Sequence, residues 1–293
     1  MKGGLEMVAS KVKIVTDSTA CLSAEEISQY DVHVVPLRVI FGTEIYTEGV
    51  DITSEEFYRR LATTGSMPTT SQPAVGDFTR VYGELKERGH PVLSIHISSK
   101  LSGTVQSAVA ARQELPQAQI EVVDARTVAL RMLIAPAAQA AARGQSLAHL
   151  KASIEKLNAC LNTVGMLNTL EYLWRGGRIG GAKALLGTLL RIKPLLDFKG
   201  GEVKVLAKLR TSAQAIESIL ELMRARIREG TPIHVGVAHT DALELAQALK
   251  KRVQAGFNCA ELDLIELGPV LGTHIGPGFF GIAFYSSEEW QPD

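Results

Sequence analysis

Apolar and polar positions along the chain follow two periods, and they change over in a regular way. Lys11–Thr16 alternates and is β-branched, which predicts a strand. Ser23 followed by Glu25 and Glu26 predicts a capped helix start with acids in its first turn. Val32–Phe41 reads as a second strand region, and Gly42–Asp51 as a turn. Thr53 or Ser54 caps a helix over Glu55–Thr63. Thr64–Ala74 reads as a hydroxyl-rich loop and Val75–Arg88 as a helix. Pro91–Ile97 is a compact apolar strand that runs through Ser98–Thr104 into the helix Val105–Leu115. Gln119–Val123 is a further strand, followed by helices over Val128–Ala142 and Leu147–Ala159. Strands alternating with helices over residues 11–160 predict a parallel sheet covered on both faces, an α/β three-layer N-terminal domain.

The second half has another texture. A strand is expected over Asn162–Asn168 and a short helix over Leu170–Trp174. The glycine-rich turn Arg175–Gly181 and a helix over Lys183–Leu190 come next. Ile192–Phe198 and Glu202–Lys208 face each other across Lys199-Gly200-Gly201, a hairpin signal. Helices over Thr211–Glu229 and Ala242–Ala255 separate strands at Thr231–His239 and Cys259–Leu267. Gly268–Gly278 reads as a glycine–proline loop before the strand Phe280–Tyr285. The division predicted is 1–160 and 161–293, the second part a smaller α/β domain with a mixed sheet.

The chain has 293 residues, enough for two cores, with 46% apolar and 21% charged residues. Lys plus Arg and Asp plus Glu number 31 each, so no net field draws the protein to nucleic acid or an anionic membrane. The most apolar tract, Thr127–Ala142, holds Arg131 and Pro136 and is too short to span a bilayer. Met1–Ser10 has a lysine but no apolar run of a secretory signal. Three widely spaced cysteines, Cys21, Cys160 and Cys259, fit a reducing compartment, and Cys259 reads as a small buried residue. A cytoplasmic protein without stable membrane insertion is expected. The seven histidines are scattered and lack metal-ligand spacing, so no metal and no cofactor is expected.

Four segments carry candidate chemistry. Thr69-Thr70-Ser71-Gln72-Pro73 leads into a helix, where hydroxyls either cap the helix or greet an anion at its N-terminus. Ser98–Thr104 repeats the arrangement at a strand end. Its Gly103, between Ser102 and Thr104, lets a ligand oxygen approach the backbone. Lys100 reads equally as added charge or as a surface lysine. His274 lies among glycines and prolines and can donate a hydrogen bond to a carboxylate. Arg178, in Gly176-Gly177-Arg178-Ile179-Gly180-Gly181, either meets an anion, contacts a partner or pins its own loop. The run is not a nucleotide loop.

Six motifs stand in order: Asp17-Ser18-Thr19, Thr70-Ser71-Gln72-Pro73, Ser98–Thr104, Gly176-Gly177-Arg178-Ile179, Lys193-Pro194 and His274-Ile275-Gly276-Pro277-Gly278. Together, from about Lys11 to Tyr285, they resemble the DegV family of fatty-acid-binding proteins. The resemblance implies a two-domain α/β fold with a long-chain fatty acid in a tunnel between the domains. It implies that Thr70 and Ser102, with Ser71 and Gly103 beside them and His274 near the head group, hold the carboxylate. It further implies a carrier without catalytic activity, which presents the fatty acid to a separate fatty acid kinase for phospholipid synthesis. The segment Asp124–Leu130 departs from the family pattern. Ala129 and Leu130 replace an expected Ser and Gly in a region expected near the lipid or the domain seam. Two enzymes are the alternatives: a serine hydrolase using Ser102, His274 and Asp17 or Asp124, and a dihydroxyacetone-kinase-like enzyme. The first lacks a Gly-x-Ser-x-Gly elbow, the second a nucleotide loop or a metal-binding aspartate cluster.

Overall fold

The computed structural model describes residues 11–65, 67–188 and 192–290. The expectation for Met1–Ser10 and the end of the expected helix Lys183–Leu190 lie outside the described residues.

In chain order the first half contains β1 (Lys13–Asp17), α1 (Ala24–Tyr30), β2 (Val32–Val35), β3 (Arg38–Phe41), β4 (Glu44–Thr47) and α2 (Ser54–Thr63). It continues with β5 (Thr69–Ser71), α3 (Val75–Glu87), β6 (Val92–His96), α4 (Thr104–Glu114), β7 (Ile120–Asp124), α5 (Arg131–Ala142) and α6 (Leu147–Cys160). β2-β1-β6-β7 form an all-parallel sheet. Alternate strand residues face opposite layers. Val15, Val92 and Ile120 pack on α3 and α4 through Phe78, Tyr82, Ala108 and Ala111. Ile14, Leu93, Ile95 and Val123 pack on α5 and α6 through Leu133, Ala137, Leu150 and Leu157.

One expected strand is two. Proline lacks the N–H a ladder needs, and Pro36 separates β2 from β3. β3 leaves the parallel sheet and joins β4 and β5 in a separate antiparallel sheet of order β4-β3-β5. The expected turn Gly42–Asp51 and the expected loop Thr64–Ala74 therefore each contain a strand. Residues of this sheet pack on Phe57 and Tyr58 of α2.

The second half contains β8 (Asn162–Met166), α7 (Glu171–Arg175), a 3-10 helix (Gly180–Thr188), β9 (Lys193–Asp197), β10 (Lys204–Leu209) and α8 (Ser212–Arg226). β11 (Ile233–Thr240), α9 (Leu243–Gly256), β12 (Cys259–Glu266), α10 (Pro269–Ile275) and β13 (Phe279–Ser286) follow. The sheet is mixed, of order β10-β9-β8-β13-β11-β12, and only β11 and β12 run parallel. Cys259 opens β12 half-buried rather than buried. The expected loop Gly268–Gly278 is largely the helix α10. Pro269 suits its first turn, where an N–H would be unpaired anyway.

One face of the mixed sheet packs on α8 and α9 through Val235, Val237, Phe280, Ile282 and Phe284. The other face turns to the first half. Phe279, Ala283 and Tyr285 share one apolar cluster with Leu130, Leu133 and Ile134. The core thus runs through a seam between the sheets. No helix among the described residues is long and apolar enough to cross a membrane.

Candidate functional site

Thr70 owes its orientation to β5. It pairs with Val39 of β3, and with a period of two its side chain faces away from that of Ser71. Its Oγ1 lies 2.8 Å from His274 Nε2. The hydroxyls of this segment do not cap α3, because Asp77 accepts the Ala74 N–H at that helix start instead.

His274 rides on the last turn of α10. Glu48 Oε1 accepts the Val270 N–H at 2.8 Å and so caps this helix from the β4 side. Burial lifts the Glu48 carboxyl to about 7. Gly276 ends α10 at φ +75°, and a Cβ there would meet the Tyr172 ring at 2.2 Å. On the other side, a Cβ on Gly176 would stand 2.3 Å from His274 Nδ1. That nitrogen is buried with no hydrogen-bond partner. Burial first, and the nearby Arg178 charge second, push the His274 imidazole down to about 4, so it is neutral near pH 7.

The other hydroxyl segment is built at the end of β6. Ser102 Oγ lies 2.8 Å from Thr104 Oγ1. α4 starts there with Gly103 as N-cap and no side-chain cap. The space a Gly103 Cβ would take is filled by the Gln72 amide, whose Nε2 donates to Ser107 Oγ at 3.0 Å. The close approach at Gly103 therefore ties the two hydroxyl segments together. Arg178 Nε donates to Leu101 O at 3.0 Å and its Nη1 to Gly176 O at 2.6 Å, pinning its own loop to the Ser102 loop. Lys100 is drawn into a surface ion pair with Glu202.

Thr70, Ser102, Arg178 and His274 come together on the wall of one cavity. Ser71 and Gly103 are not on its wall. The remaining wall is mostly apolar, with Leu101, Leu173, Phe198, Val270 and Leu271. Thr19 and Val128 belong to this wall and also to that of a second cavity, in the seam between α5 and the mixed sheet. Alternate strand positions that face the seam are small there: Thr163, Gly236, Ala238, Gly281 and Ala283. Val128, Ala129 and Leu130 close the opposite side. The first cavity carries the hydroxyls and the imidazole, the second is lined mostly by apolar and small side chains, and Thr19 and Val128 are the wall they share.

Thr19 is tied to a buried polar chain. Asp17 accepts the N–H groups of Thr19 at 3.1 Å and Ile97 at 3.0 Å, and the Thr19 hydroxyl as well. His96 Nδ1 lies 3.1 Å from the same carboxylate, and His96 Nε2 lies 2.6 Å from Ser94 Oγ. Asp17 is thus engaged with His96, and Asp124 with Ser99 at 2.5 Å.

The profile of the family described as "Uncharacterised protein, DegV family" matches residues 11–287. The chain belongs to the DegV family. A DegV domain-containing protein of Halalkalibacterium halodurans is 34% identical over 279 residues, covering 94% of this chain and 99% of its own. Among solved structures, a DegV family protein from Thermus thermophilus described for its fatty acid binding is 39% identical. It superposes with a TM-score of 0.89 over 94% of this chain and 99% of that one. DegV of Bacillus subtilis, described as a fatty acid binding protein, is 32% identical with a TM-score of 0.85, covering 94% and 99%.

In this DegV family member, sequence reasoning found four cavity residues by type and missed their supports. Thr19 stood in a quoted motif without a place in the site. Gly176, which lets α7 close on His274, stood in the Gly176-Gly177-Arg178-Ile179 motif without a place beside the histidine, and Glu48, which caps α10, carried no sequence signal. The small residues of the seam did, since they recur at alternate positions of β11 and β13.

Proposed function

We propose that the protein binds a long-chain fatty acid, with the carboxylate at Thr70, Ser102 and His274 and the tail passing Thr19 and Val128 into the seam. The observation that supports this reading is a pair of neighbouring cavities that share Thr19 and Val128 on their walls, one bearing Thr70, Ser102 and His274 and the other mostly apolar. The energetics agree. Each buried methylene contributes about 0.8 kcal/mol, so a tail of about a dozen contributes on the order of 10 kcal/mol before association costs. An unpaired buried carboxylate is costly, and hydroxyl donors offset that cost. The fatty acid binding described for the Thermus thermophilus and Bacillus subtilis proteins supports the same reading. The tunnel would then lie between two domains divided near residue 160, where α6 ends and β8 begins.

We further infer a cytoplasmic carrier that performs no covalent step and offers its ligand to a separate fatty acid kinase. The hydroxyl of Ser102 engages Thr104, and His274 engages Thr70, which suits holding an anion better than activating a nucleophile. Native mass spectrometry of the purified protein should show a bound mass of a long-chain acid. A protein that stays ligand-free after incubation with fatty acids refutes binding. With ATP and magnesium but no second protein, no acyl phosphate should form; its formation refutes the carrier role.

A further inference from the structure

The seam cavity ends against α5. Met132 and its neighbour Arg131 lie on the wall of the seam cavity and also on that of a surface cleft beside α1 and β12. They are the partition between the greasy interior and solvent. A Cβ on Gly236 would stand 3.0 Å from Met132 Sδ and 3.2 Å from Ile265 Cδ1. The thioether is therefore laid directly on the β11 backbone, in space that glycine leaves open. Arg131 holds the partition from outside. It pairs with Glu26 of α1 and, at 3.4 Å, with Asp263 of β12, so it spans from the first half to the second.

We propose that Met132, seated on Gly236, is the stop at the far end of the tail channel and sets the chain length the protein accepts. This rests on the fatty-acid reading given above and adds the residue that decides among acids. A methionine suits the role because its unbranched, flexible side chain fills irregular space and can yield by a rotamer. Cutting it back to alanine removes three heavy atoms from the end wall, which is room for about two methylenes. Each methylene newly buried is worth about fourfold in affinity.

The test is competition. Delipidated full-length protein is incubated with an equimolar mixture of saturated straight-chain acids of twelve to twenty-two carbons, and the bound acids are weighed by native mass spectrometry. Wild type defines a preferred length. Met132→Leu, close in volume, should keep it. Met132→Ala should move it up by about two carbons, with the longer acid gaining roughly fifteenfold over the wild-type favourite. Met132→Phe should move it down. An unchanged profile, a shift to shorter acids, or loss of all acids in Met132→Ala while wild type still binds overturns the stop. A wild type that takes up no acid at all overturns the fatty-acid reading and the stop with it.

Discussion

Replacing Thr70 by valine removes one hydroxyl and little volume, which makes it the sharpest probe of the head cavity. In the free protein the hydroxyl bonds His274 Nε2 at 2.8 Å, and the imidazole's other nitrogen has no partner. The substitution therefore strips the buried ring of that bond, at about 1 kcal/mol of stability. In the proposed complex the same hydroxyl faces a carboxylate, and a hydrogen bond to a charged group is worth about 1.5–3 kcal/mol. Both states lose something, so the affinity change is the difference, about 0.5–2 kcal/mol, or roughly 2- to 30-fold in Kd. Thr70→Ser, which keeps the oxygen, should bind close to wild type. The assay is displacement of a fluorescent fatty acid by unlabelled acids of different lengths. Because head and tail lie in separate cavities, the loss should be the same for every chain length. A Thr70→Val protein that binds as wild type, or a loss that grows with chain length, refutes the placement of the carboxylate.

Two further outcomes follow from the buried groups. His274 is held at about 4, below its ordinary 6.5, so the unfolded chain takes its proton first and this group's stabilisation, full above about pH 6.5, is lost as pH falls toward 4. Glu48 is raised to about 7, so its contribution runs the other way and is lost as pH rises from about 4.5 through 7. The slopes oppose each other between about pH 4.5 and 6.5, and Glu48→Gln should expose the loss from His274, at up to about 1.4 kcal/mol per pH unit. Urea unfolding at several pH values reads this; profiles parallel to wild type contradict it. Asp17→Ala leaves two buried N–H groups, a hydroxyl and His96 without their acceptor, and should cost about 3–5 kcal/mol by thermal or urea unfolding. A cost below about 1 kcal/mol would mean that the polar chain behind Thr19 is not structural.

The parallel sheet was legible because β1, β6 and β7 are β-branched runs bounded by turn chemistry, and buried strands must look so. Thr70, Ser102 and His274 were legible as candidates because they stand in ordered motifs that resemble those of a known family, and the structure adds that all three line one cavity. The small sheet was not. Its strands are three or four residues long, too short to show a period, and β5 looks like the loop that Thr69-Thr70-Ser71 suggests. α10 was hidden by its own composition, since Pro269, Gly272 and Gly276 argue against a helix locally. Tyr58 and Tyr172 take the space those two glycines leave, so close packing outweighs propensity there. The seam cavity is a matter of what two distant halves leave unfilled, and the alternate small residues of β11 and β13 were its one local sign.

The place of β13 bears on how the protein comes to be made. It lies between β8 and β11, although translation delivers it after every other strand of that sheet. Until Phe279–Ser286 leaves the ribosome, the meander β8–β9–β10 and the pair β11–β12 are separate fragments with open ladder edges. Such edges are templates for wrong partners. A nascent chain should therefore hold a finished parallel sheet beside an unassembled second one, and nascent chains arrested before residue 279 should aggregate where the completed chain does not.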